Sequence, residues 1–232
     1  TNMINQENSK YDSLNQPVEN KQQLAYQQIK QDILNNTYPA GTVMVERKLC
    51  EIYNVSRSPI RNALQQLTHE GLLSFVPGKG TVVASFSTDD ILEVYDLIEL
   101  LQDYAIKACI NKQNALVVNA LEMALNNMKT ALEKDDIFHF TRWDQKFHQL
   151  LVSYSGNKRL ETVYDQLDCQ QMLFISTILD DRDLAARSLQ EHTQILDAIR
   201  NQDSDLAHQT LHQHYQHIKQ YYINKLLSRI HI

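Results

Sequence analysis

Asp144, His148, His192 and His214 have residue types that suit a divalent cation, and their helical phase brings them to one side. Asp144 and His148 are four residues apart, so they project from one helix face, which also carries Phe140, Phe147 and Leu151. His192 falls in phase with Leu189, Leu196 and Ile199, and His214 with Ala207, Leu211, Ile218 and Tyr221. All four are expected to point inward. His208, His212 and His217 fall off the apolar stripe and are expected on the solvated side, while His69, His139 and His231 follow no pattern. Two readings of the inward groups stand. One is a cluster of hydrogen-bonded core residues, since burial only requires each polar group to find a partner. The other is a metal site, in which zinc, nickel or manganese offsets a buried carboxylate and takes up the lone pairs of three imidazoles.

A second set has the chemistry of guanine and phosphate recognition. Arg57 and Arg61 are also four apart, near the start of a predicted helix. There their guanidinium forks reach base edges bidentately or clamp phosphates, and the helix's own N–H groups favour phosphate oxygens. Lys79 lies between Gly78 and Gly80, whose lack of a side chain lets the backbone approach a minor groove. Either arginine or the basic turn alone is ordinary solvated surface; their combination points to DNA.

The elements that must position these residues can be read in order. Leu24, Ile29, Ile33 and Leu34 predict an opening helix that ends before Pro39, and Glu46 to Tyr53 a short second one. Asn54-Val55-Ser56 is a turn with Ser56 as a helix cap. A third helix follows through Ile60, Ala63, Leu64 and Leu67 to Gly71, with Pro59 tolerated in its first turn. Leu72–Val76 and Thr81–Val83 read as strands joined over Pro77–Gly80. That order predicts a winged helix-turn-helix of three helices plus a β-hairpin.

All four prolines and four of the five glycines lie in the first eighty residues, and after Gly80 only Gly156 interrupts. The remainder is therefore expected to be an all-α antiparallel bundle, making the chain mainly α. Ser87-Thr88-Asp89-Asp90 is a capping start, and further helices are predicted over about 114–133, 136–155, 158–179, 184–201 and 203–229. The predicted domains are residues 21–86 and 87–232, behind a polar stretch, residues 1–20, set aside as disordered. Thr1 and Asn2 precede Met3.

The net charge of −6 weighs against nucleic acid, but residues 21–86 hold seven Lys or Arg against four Asp or Glu. That is a local +3, which leaves −9 for the rest. Phosphate responds to the local field, within a Debye length of about 8 Å at physiological salt. No apolar run is long enough to span a bilayer, and the polar start lacks a signal-peptide core, so a cytoplasmic protein with no membrane partner is expected. Cys50, Cys109 and Cys169 are scattered and read as reduced packing residues.

The run Glu46-Arg47-Lys48-Leu49, with Val55-Ser56-Arg57-Ser58-Pro59-Ile60-Arg61-Asn62-Ala63-Leu64-Gln65-Gln66-Leu67 and Glu70-Gly71-Leu72-Leu73, resembles the DNA-binding domain of the GntR family over Leu24 to Val83. The resemblance implies that Arg47, Ser56, Arg57, Ser58 and Arg61 contact DNA and that Gly78, Lys79 and Gly80 enter the minor groove. Asp144-Gln145-Lys146-Phe147-His148, Ser155-Gly156-Asn157, Glu191-His192 and the segment Ala207, Leu211 and His214 are similar to the FadR-type (FCD) effector domain, over Thr88 to Tyr221. That similarity implies one divalent cation held by Asp144, His148, His192 and His214 beside a cavity for a small organic acid, with Asn157 and Ile98 at effector-binding positions. The chain departs from the pattern at Ile98, where many members carry an arginine, and at Gln102, where they carry an acid. Without that fork the effector is less acidic, binds through the metal alone, or is not a small acid at all.

The function these features imply is that of a homodimeric regulator, a repressor, that reads a palindromic double-stranded operator under control of a carboxylate effector, and not an enzyme. A direct metal sensor is the alternative; a helical metalloenzyme is the weaker one, since no general base beyond the ligands is evident and the N-terminal module would be unexplained.

Overall fold

A computed structural model describes residues 18–112, 115–175 and 181–230. Two compact units divide between Ser85 and Phe86. The first holds α1 (Val18–Leu34), α2 (Glu46–Tyr53), α3 (Arg57–His69), β1 (Leu73–Val76) and β2 (Gly80–Val83). The second holds α4 (Thr88–Lys112), α5 (Ala115–Glu133), α6 (Ile137–Tyr154), α7 (Lys158–Ile175), α8 (Arg182–Arg200) and α9 (Ser204–Ile230). Residues 18–20, assigned to the polar tail, open α1, and residues 1–17 lie outside the described part. Residues 176–179, predicted as the end of a helix, also lie outside it.

In the first unit, Ala25, Ile29 and Ile33 of α1 meet Ile60, Ala63, Leu64 and Leu67 of α3 in a fully apolar core, closed by Leu72, Val82 and Val83. Leu24 stands half exposed on the other face of α1. Asn54 takes a left-handed conformation (φ 52°) that ends α2 and turns the chain into α3, a geometry asparagine tolerates better than most residues. Ser56 occupies the cap position of α3 in extended conformation, but its hydroxyl makes no capping bond, so the cap function read from the sequence is not used.

The wing is a two-stranded antiparallel sheet with Val76 opposite Gly80. Between them the Val76 carbonyl accepts from Lys79 N at 3.0 Å, with Pro77 second and Gly78 (φ +81°) third in the turn. Proline's fixed φ followed by a positive φ is a type II turn, and it presents Lys79 at the tip.

In the second unit α4 begins in a reciprocal box: Asp90 N donates to Ser87 Oγ (3.1 Å) while Ser87 N donates to Asp90 Oδ2 (2.8 Å). α4 packs against α6, α7 and α9, and α5 against α6 and α8, around a core that includes Tyr95, Ile98, Phe147, Leu151, Leu196 and Tyr215. Gly156 (φ +72°) ends α6, where Lys112 Nζ donates to the Ser155 carbonyl. Cys50, Cys109 and Cys169 form no disulfide; Cys109 is buried, and its Sγ donates to the Leu151 carbonyl.

Candidate metal centre and nucleic-acid interface

α6, α8 and α9 each contribute one imidazole to the middle of the second unit. His148, His192 and His214 are all buried, and each offers a ring nitrogen within 4.8 Å of the others. Phe147 stacks on His192 at 4.5 Å, which fixes that ring's plane. Asp144, one turn before His148, is four-fifths buried at the edge of the triad, its Oδ1 3.5 Å from His192 Nδ1 and accepting from Ser188 Oγ at 2.9 Å. The structure therefore brings the three histidines together, while Asp144 stands beside His192 and outside the group whose ligand atoms are mutually close.

Outer partners decide which nitrogen each ring can offer. His148 Nδ1 donates to Gln102 Oε1 (2.7 Å), and Gln102 Nε2 donates to Tyr164 (3.2 Å). His214 Nδ1 donates to Glu191 Oε2 (2.8 Å), and the same carboxylate accepts from His217 Nδ1 (2.5 Å). Nε2 is what remains to His148 and His214. Gln102 in place of an acid thus keeps the outer-partner function with a neutral acceptor.

Burial pushes the Asp144 carboxyl up to about 6, against the opposing pull of His214 and the Ser188 bond. Burial also holds His148 and His192 well below the ordinary histidine value, with the nearby His214 adding to both, so these two rings are neutral with lone pairs available. Glu191 is lowered: burial works against its charge, but the bonds from His214 and His217 outweigh it. His192 Nδ1 and Nε2 and His214 Nε2 are buried without a hydrogen-bond partner. Buried polar atoms orphaned in this way, one of the two on the neutral His192 ring being an N–H donor and the other an acceptor, cost roughly 1–3 kcal/mol each. Neutral imidazoles beside a carboxylate are the donor set of zinc, nickel or manganese, so the residues present fit such an ion.

A cavity of about 50 Å³ adjoins the centre, lined by Tyr95, Phe140, Asp144, Gln171, Ser188 and Tyr222 among others. Asp144 and Ser188 belong to both sites. Ile98 is fully buried in the apolar core and is absent from the cavity's described lining. Asn157 is spent on local structure: its Oδ1 accepts from Arg159 N and Leu160 N and caps α7. Neither residue is placed where the effector-binding expectation needs it. His208, His212 and His217 are exposed, as their positions off the apolar stripe predict, and each also meets a carboxylate: His208 with Asp103 (2.8 Å), His212 with Glu99 (2.6 Å) and His217 with Glu191.

In the first unit Ser56, Arg57, Ser58 and Arg61 are exposed along the start of α3, with Arg47 exposed on α2 and Lys79 at the wing tip. Arg61 has a partner already: its Nε and Nη2 donate to the two oxygens of Glu46, both at 3.1 Å.

A winged helix-turn-helix joined to a separate helical unit with a polar centre is the plan of a transcriptional regulator. The chain belongs to the gntR family of bacterial regulatory proteins, which matches residues 21–83, and within it to the members carrying an FCD domain, which matches residues 93–217. It is 29% identical to the HTH-type transcriptional regulator YdhC of Bacillus subtilis (strain 168), over 83% of this chain and 86% of that one. Identity to the gluconate operon transcriptional repressor of the same strain is 26%, over 84% and 82%. The fold is shared with a GntR transcriptional regulator from Rhodococcus sp. RHA1 (TM-score 0.77, 18% identity, 88% of this chain and 98% of that one). It is shared equally with McbR/YncC of E. coli (TM-score 0.77, 16% identity, 89% and 98%). Among the described residues no helix is long and apolar enough to cross a membrane.

Proposed function

We propose that the protein is a homodimeric cytoplasmic repressor that reads a palindromic operator, and that a small carboxylate bound beside a divalent cation sets its affinity for DNA. Arg47, Ser56, Arg57, Ser58 and Arg61 meet the major groove and its phosphates, while Gly78, Lys79 and Gly80 meet the minor groove. A relative named as a repressor supports the sign of regulation.

The observation that carries the effector half is the buried histidine triad with orphaned nitrogens facing a carboxylate that also lines a cavity. His148, His192 and His214 would hold the ion, with Asp144 at its open side. A divalent cation there supplies positive charge at the polar end of the cavity, where no arginine or lysine is in the described lining. Gln102 and Glu191 orient the outer nitrogens of two rings, and Phe147 fixes the third. Tyr95, Phe140 and Tyr222 give the ligand's body an apolar seat, while Gln171 offers it a polar contact.

The test is metal analysis of protein purified without chelator, followed by calorimetric titration with small carboxylates before and after chelation. One ion per chain, and carboxylate binding lost on chelation, is the expected result. Less than one ion per chain, with stability undiminished in His148→Ala and His214→Ala, would reduce the centre to a buried polar cluster.

A further inference from the structure

The cavity beside the metal centre carries polar groups that neither the ion nor the fold uses. Tyr95 of α4 and Tyr222 of α9 line it, both buried, with ring centres 5.5 Å apart. Gln171 of α7 lines it with them, and both Tyr222 and Gln171 act on the Tyr95 hydroxyl. The three polar ends therefore converge, yet neither phenol oxygen has a hydrogen-bond partner. A buried hydroxyl left unpaired is costly, and one oxygen atom with two lone pairs, placed between the phenols, would satisfy both. Two other polar side chains of the lining are already spent: Ser188 Oγ donates to Asp144, and Thr141 Oγ1 donates to the Ile137 carbonyl.

Charge and size narrow the occupant further. No arginine or lysine is in the described lining, and Lys225, held 5.7 Å over the Tyr221 ring, does not line the cavity. One cation at the Asp144 side answers one carboxylate; a second would be buried unpaired. Phe140, Leu184, Ala185 and Ile218 make apolar wall, which leaves a chain of hydroxyls without partners. The cavity's volume of about 50 Å³ exceeds the roughly 10–15 Å³ that one water needs and falls short of the roughly 150 Å³ that takes a benzene.

We infer that the ligand of this cavity is a short monocarboxylic acid, of about three to five carbons, whose far end carries one uncharged oxygen, hydroxyl or carbonyl. With the carboxylate toward the ion, the carbon chain lies on the apolar wall, and Tyr95 and Tyr222 donate to the far oxygen. A ligand hydroxyl can donate in turn to the Gln171 side-chain oxygen. Asp144 and Ser188 come from α6 and α8 and the phenols from α4 and α9, so an oxygen next to the carboxylate would lie at the ion rather than at the tyrosines. The inference rests on the reading of a carboxylate bound beside a cation and adds which carboxylate the cavity selects.

Calorimetric titration of the zinc-loaded full chain decides it, with 4-hydroxybutyrate set against three other acids. Pentanoate replaces the hydroxyl by a methyl group, succinate ends in a second carboxylate, and gluconate carries a hydroxyl on every carbon of its chain. 4-Hydroxybutyrate should bind roughly tenfold more tightly than pentanoate, as for hydrogen bonds made rather than left unmade, and more tightly than the other two. Tyr95→Phe and Tyr222→Phe should each erase most of that preference and leave pentanoate binding unchanged. Without ligand, each substitution should also raise the midpoint of thermal unfolding, because it removes an unpaired buried hydroxyl; a phenol that held the fold together would lower it. If pentanoate, succinate or gluconate binds as tightly as 4-hydroxybutyrate, or the preference survives both substitutions, the oxygen subsite is overturned, while binding that chelation abolishes leaves the metal and carboxylate reading standing. If the zinc-loaded protein binds none of the four acids, both are overturned.

Discussion

Asp144→Asn, compared with the wild type after removal of divalent ions, tests whether the centre is built to receive a cation. Burial raises the Asp144 carboxyl to about 6, so the folded protein binds its proton more tightly than the unfolded chain, whose carboxyl titrates near 4. A group with a raised folded pKa stabilises least at high pH: its contribution falls as pH rises from about 4 to about 6, and the full penalty stands above that window. About two pH units at about 1.4 kcal/mol each come to roughly 3 kcal/mol. The amide retains an oxygen for the Ser188 hydroxyl and removes the charge. Metal-free Asp144→Asn should therefore be more stable than the wild type by roughly 2–3 kcal/mol at pH 7.5, the difference shrinking toward zero near pH 4. His148 and His192, held low by burial, impose the opposite trend on both proteins, losing stability as pH falls through about 6.5. The difference between the two proteins removes that shared slope. Urea denaturation followed by the fluorescence of Trp143, the single tryptophan and the neighbour of Asp144, reads the transition of this unit. Excess divalent ion should reverse the order, since an ion bound only by the folded state stabilises the better binder more. A variant no more stable than the wild type at pH 7.5 without metal would refute the reasoning.

Arg57→Ala should weaken operator binding by roughly 5- to 150-fold and relax preference at one base pair, while Lys79→Ala should lower affinity for all duplexes and flatten its dependence on salt, both read by titration at several salt concentrations. Glu46→Gln should raise affinity for random duplex more than for operator in the same assay, because it frees Arg61 and removes a carboxylate near the phosphates. Glu191→Ala should lower metal affinity by about 10- to 100-fold in a competition assay and leave the winged helix's DNA binding without metal unchanged, as expected for an outer partner. Gly156→Ala should cost roughly 1–2 kcal/mol in urea denaturation, since an added Cβ meets a positive φ and Lys112 Nζ at 2.5 Å.

Much of this was legible because periodicity is local. The winged helix-turn-helix follows from turn residues and short apolar repeats, and the inward direction of Asp144, His148, His192 and His214 follows from helical phase alone. What phase could not reveal is which side chains meet from different helices. Ser188 lies one turn before His192 and could have been drawn into the site on that spacing. Gln102 and Glu191 could not, because their partners His148 and His214 stand 46 and 23 residues away. Phase does place His208, His212 and His217 on the exposed side, but it cannot show the carboxylates on α4 and α8 that meet them there. Asn157 was misassigned for the reverse reason: a residue in a family segment also sits where a helix needs a cap, and the local demand takes its side chain.

The Glu46–Arg61 pair bears on how such a protein searches a genome. A fork already satisfied by two carboxylate oxygens gains little from a lone phosphate, so on random sequence the cheapest course is for Arg61 to stay at home. Guanine, with two acceptors in the same plane, is the partner able to compete on equal geometry. The arrangement therefore lowers grip everywhere a little and at the right base pair least, trading strength of attachment for contrast between sites.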